Sequence, residues 1–172
     1  MNPSEYREEI RKASEGELIG EALFLRLAPA YAPEDREKLA AMARLESVTG
    51  GLLDELLSRH GIEAAAPTVL AEATESLTER LLGLPWRDLM ARFSEGFRPY
   101  VAIYDRLEEH AQPQDRDALA FLARHERLLL EFVEAERTGD GSPALEKIEA
   151  LVAGKLLPAA PRGQLGQEPE EP

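Results

Sequence analysis

The sequence predicts an all-α protein: a bundle of four long helices, a long helical crossover between the second and third, and a short C-terminal helix. Three observations predict it. Ala, Leu, Glu and Arg dominate, β-branched residues are sparse, and no alternating strand pattern persists between turn signals. Prolines and glycines cut the chain into segments of helical length. The breaks between the long segments are unequal, two short and one about twenty-five residues long.

The first helix is expected from Ser4 to about Ala28, ahead of Pro29, with a restart at Ser14 where Ser14-Glu15-Gly16-Glu17 has capping-box spacing. The second begins at Pro33, with Glu34 and Asp35 favourable at the positive end of the helix dipole. It stops at Gly61, with Arg59 and His60 in its last turn. A shorter helix is expected over 64–82, closed by Gly83-Leu84-Pro85. The third long helix spans Trp86 to about Ala111 with Pro99 inside it, where a kink is expected. After the Gln112–Asp115 break the fourth runs to about Arg137, and Ser142-Pro143 opens a last short helix to Leu157. Two short links make two antiparallel hairpins; the long one lets helices two and three run parallel. Residues 1–157 therefore form one domain, and the Pro/Gly-rich acidic segment 158–172 is expected to be disordered.

Composition narrows the function. The 172 residues carry a formal charge of −13 at pH 7, which disfavours binding to a phosphate backbone, so no nucleic-acid partner is expected. No cysteine is present, which removes thiolate metal sites and cysteine nucleophiles. No apolar run reaches membrane-spanning length and no secretory signal is visible, so a cytoplasmic protein without membrane contact is expected. Nucleotide-binding glycine loops, His-Glu-x-x-His and Gly-x-Ser-x-Gly are absent.

Polar residues interrupt the apolar stripes. On the first helix Leu18, Leu25 and Ala28 share a stripe whose missing member is Glu21. On the second, Met42, Thr49, Leu53 and Leu56 share one interrupted by Glu46. On the fourth, His125 falls among Ala118, Leu122, Leu129 and Phe132, with Glu126 beside it. The third places Tyr100 and Tyr104 among Leu89, Phe93, Ile103 and Leu107. Counted from the hairpins at about 1.5 Å per residue, these groups meet near mid-bundle. Carboxylates there need a cation or a hydrogen-bond partner.

The runs Gly16-Glu17-Leu18-Ile19-Gly20-Glu21-Ala22-Leu23-Phe24 and Ala43-Arg44-Leu45-Glu46, with His125-Glu126, resemble the helix cores of ferritin-like and rubrerythrin-like proteins. The resemblance covers roughly residues 14 to 137. It implies a ferritin-like four-helix bundle with a carboxylate and histidine metal site, iron or manganese, and oxygen- or peroxide-linked redox chemistry. It places Glu21 and Glu46 as ligands, with His125 and Glu126 on the last long helix. The pattern departs from the family at Thr49 and Leu129, where the histidines of two Glu-x-x-His motifs would stand, and at Tyr100, in place of a third-helix glutamate. A partial or altered metal site follows, with Tyr100 and Tyr104 as candidate ligand-binding groups. The alternative is a non-catalytic bundle of the same kind, serving as a small-ligand or homodimeric interaction module.

Overall fold

A computed structural model describes residues 1–139 and 141–156. It is all-α, with helices α1 (Pro3–Leu27), α2 (Pro33–His60), α3 (Pro67–Leu81), α4 (Trp86–Glu109), α5 (Arg116–Thr138) and α6 (Ser142–Leu156). The segment expected to be disordered, 158–172, lies outside the described residues. No helix among those described is long and apolar enough to cross a membrane.

The first helix does not restart at Ser14. Asn2 caps it instead: its side chain accepts from the Ser4 and Glu5 amides, and the Glu5 carboxylate takes the Asn2 N–H. Ser14 and Glu17, the expected capping pair, are both buried mid-helix. At the other end, Ala28–Ala30 tighten into a 3₁₀ turn that leads through Pro33 into α2. Gly61 ends α2 in the left-handed conformation, φ 57°, where an L side chain would be strained. The α4 helix continues through Pro99, which lies on its exposed face.

Contacts at the two ends set the directions. Tyr6 at the start of α1 and His60 at the end of α2 both meet Asp115, just before α5. Lys38 near the start of α2 and Trp86 at the start of α4 both meet Glu136 near the end of α5. Thus α1 and α2 are antiparallel, as are α4 and α5, while α2 and α4 run the same way. The intervening segment, with α3 packed on α1, carries the chain back along the bundle. The short α6 packs on α2 and α5.

The apolar core is divided in two. One cluster holds Phe24, Leu39, Met42, Leu89, Phe93, Leu129 and Phe132, towards the Trp86 end. The other holds Ile10, Leu53, Leu56, Leu107, Leu119 and Leu122, towards the Asp115 end. Along α1, α2 and α5 the residues between these clusters are polar and buried: Ser14 and Glu17, Glu46 and Thr49, His125 and Glu126. A polar layer therefore crosses the interior at one level.

Candidate metal centre

Three helices build the centre of this layer. Glu17 from α1, Glu46 from α2 and His125 from α5 each offer a ligand atom, all within 4.8 Å of one another, and all three side chains are buried. His125 Nδ1 lies 3.1 Å from Glu17 Oε2, and Nε2 lies 3.7 Å from Glu46 Oε2. Ligands held about 2.1 Å from one ion stand roughly 3 to 3.5 Å apart; Nε2 and Glu46 Oε2, 3.7 Å apart, are close to that spacing, and the whole group of three lies within 4.8 Å.

Thr49 fixes how the imidazole is used. Its Oγ1 donates its only proton to the Leu45 carbonyl at 2.9 Å, one turn back on α2. The 2.8 Å contact between Oγ1 and His125 Nδ1 is therefore donated by the ring N–H. When the ring is neutral, that tautomer leaves the Nε2 lone pair facing Glu46. Neither Nε2 nor Glu17 Oε2 has a hydrogen-bond partner, although both are buried. Unpartnered buried polar atoms are costly, and a cation held by this group could relieve that cost. Two carboxylates and one imidazole could hold a metal ion, with the Thr49 contact orienting the ring from behind.

Electrostatics follow from burial. Loss of water, then the nearby Glu17 charge, holds the Glu46 carboxyl well above its ordinary range. Burial alone would lower His125, but Glu17 and Glu46 outweigh it and hold the imidazolium form to higher pH than usual. Burial pushes Glu126 up to about 8, with His125 opposing and Glu46 adding. Tyr104 is raised by burial and by the surrounding carboxylates.

Of the residues singled out from the sequence, Glu46 and His125 come together. Glu126 is buried beside them, but its Oε1 has no hydrogen-bond partner and it is not one of the three converging ligands. A step of about 100° between neighbouring helix positions explains why it faces elsewhere. Glu21 is half-buried and outside the triangle, while Glu17, one turn earlier, stands in it. The Leu18–Leu25 stripe that pointed to Glu21 is exposed, 38% and 53%, because α1 is apolar nearly all round here and its buried face runs through Ile10, Ala13, Glu17, Phe24 and Leu27. Spacing from Ile10 and Ala13, rather than from Leu25, singles out Glu17.

Tyr100 and Tyr104 border a cavity of about 600 Å³ that also reaches Glu17, Glu46 and Glu126. Tyr104 is buried and Tyr100 is 47% exposed, their rings 5.8 Å apart. The chain matches no protein-family model, and no curated protein or solved structure is significantly similar to it.

Proposed function

We propose that Glu17, Glu46 and His125 hold one iron or manganese ion within a ferritin-like bundle, and that the protein performs oxygen- or peroxide-linked redox chemistry on a small molecule in the adjoining cavity. The convergence of three buried ligand atoms, two of them unpartnered, carries this reading. The two lateral hairpins, with α2 and α4 parallel, agree with the bundle expected from the chain. The metal would supply a Lewis-acidic, redox-active centre. The chain supplies the rest: Thr49 orients His125, the apolar clusters on either side exclude water, and Glu126 holds a proton at the cavity wall.

Protein purified without chelator is expected to contain about one equivalent of iron or manganese, and Glu46→Gln or His125→Ala to lower occupancy at least tenfold. A metal-free protein whose unfolding is indifferent to iron, manganese, zinc and chelator overturns the proposal. A second reading, a non-catalytic ligand-binding bundle, is favoured by the 3.1 Å approach of His125 to Glu17, since an imidazolium there neutralises the carboxylate without metal. In that case Glu46→Gln would leave metal content at zero and stabilise the fold, because it removes a buried carboxyl whose ionisation burial and Glu17 oppose.

A further inference from the structure

The cavity extends well beyond the metal triangle. It lies between α1 and α4, with α3 contributing a wall. Its sides are Phe24, Phe93, Phe97, Leu23, Leu77 and Leu81. Phe93 and Phe97 stack at 5.7 Å with planes 17° apart, and Phe24 sets its edge against both. Gly16, Gly20 and Gly96 also border the space, so no side chain fills it from those positions. A volume of about 600 Å³ falls among pockets that enclose drug-sized organic molecules.

The two ends differ in chemistry. At the inner end Glu126 presents a buried, unpartnered carboxyl oxygen, and Tyr104 its ring and hydroxyl. At the outer end stand Arg80 from α3 and Arg92 from α4, both exposed. Arg92 pairs with Glu95, whereas Arg80 forms no ion pair among the described residues; only its Nε is used, on the Ser76 carbonyl.

We propose that this cavity binds an amphipathic organic anion, its flat aromatic or hydrocarbon body against the phenylalanines and its acidic group on Arg80 and Arg92. The inner end of such a molecule lies against Glu126 and Tyr104, next to the metal triangle. The proposal names the substrate class for the site described above and rests on that reading for its catalytic meaning, but the binding itself requires no metal.

Two probes that share a ring system test it on the full chain, both chelator-treated and manganese-loaded: 1-anilinonaphthalene-8-sulfonate and its uncharged counterpart N-phenyl-1-naphthylamine. One sulfonate probe per chain is expected, bound more tightly than the uncharged one. Arg80→Gln with Arg92→Gln is expected to weaken the sulfonate about tenfold and to leave the uncharged probe within about twofold. Gly96→Leu is expected to block both probes while the protein melts normally, because a Cβ there meets nothing within 4 Å and Leu is a better helix former than Gly. Phe97→Ala, at the stacked wall, is expected to weaken both probes and serves if Gly96→Leu fails to fold. Absence of saturable binding, equal affinity for the two probes, or binding indifferent to both wall variants overturns the proposal. Metal content of the same samples separates the two ideas: probe binding without metal occupancy sinks only the metal centre, and metal occupancy without probe binding sinks only the organic anion.

Discussion

A Cβ on Gly20 would stand 2.7 Å from Glu46 Oε1, so the α2 carboxylate lies where an α1 side chain would otherwise be. The relationship is partly mutual across the helix pair: a Cβ on Gly50 of α2 would stand 3.7 Å from the Cβ of Glu17 on α1. The Glu46 carboxylate thus faces a glycine of α1, while it is the Cβ of Glu17, not its carboxylate, that faces a glycine of α2. Gly20→Ala is therefore expected to push the Glu46 carboxylate aside and weaken metal binding about tenfold or more. Stability should change little, since Ala gains about 1 kcal/mol of helix propensity over Gly and the group that must yield is the end of a flexible side chain. Metal titration beside thermal unfolding checks this; wild-type affinity in the variant would show that Glu46 does not act from this position.

Thr49→Val keeps the shape of the side chain and removes the oxygen that accepts from His125 Nδ1. Outer partners of a ligating histidine typically contribute ten- to a hundredfold in metal affinity, and a loss of about that size is expected. Thr49→Ser should restore most of it. If Val binds metal as tightly as Thr, the imidazole is oriented by something else.

The helices were legible in the sequence because their stops are chemical: Pro33, Gly61, Pro67 and Gly139 stand at the boundaries themselves. Glu46 and His125 were legible because each interrupts a stripe that is otherwise apolar and buried, apart from Thr49 on α2 and the half-buried Ala118 on α5. Glu17 was not, since Leu18, Ile19, Leu23, Phe24 and Leu25 surround the α1 axis and leave its inward face ambiguous. Thr49 looked like a lost ligand; its value as an acceptor for His125 depends on a contact between residues 76 apart. The cavity was also hidden, because it is made by what α1 and α4 leave unfilled.

In chelator-treated protein, Glu126 should make stability fall as pH rises. Its folded carboxyl titrates near 8, against about 4.3 for an unfolded Glu. Between those values the native state holds a proton that the unfolded state has lost, so stability declines across that window. His125, also raised in the folded state, acts in the same sense: its contribution is complete below about pH 6.5 and is lost as pH rises through the higher folded value. Glu126→Gln removes only the first contribution. The variant is expected to lose less stability than wild type between pH 5 and 8, by an amount on the order of a few kcal/mol. Denaturant unfolding at several pH values measures it, and parallel slopes for the two proteins would contradict it.

Asp115 gives the opposite pH signature at the far end of the bundle. It is fully buried and accepts from the Tyr6 hydroxyl at 2.9 Å, from His60 Nε2 at 2.7 Å and from Arg59, thereby joining α1, α2 and the start of α5. Burial alone would raise its pKa, but the donated hydrogen bonds of His60, Arg59 and Tyr6 outweigh it and hold the carboxyl below its ordinary value. Burial, helped by the bond to Asp115, pushes Tyr6 up to about 12. A depressed folded pKa means that the carboxylate's contribution is complete above the unfolded value of about 3.9 and is lost as pH falls through the folded one. Asp115→Asn is expected to cost about 2–3 kcal/mol at neutral pH, less than breaking a wholly buried pair because Arg59 is partly exposed. The difference from wild type should shrink as pH drops below about 4, where the wild-type carboxylate takes up its proton. Metal occupancy should not change, because Asp115 lies at the bundle end, beyond the apolar cluster that separates it from Glu17, Glu46 and His125. A variant that loses its metal together with its stability would show that the two ends of the bundle are coupled through that cluster.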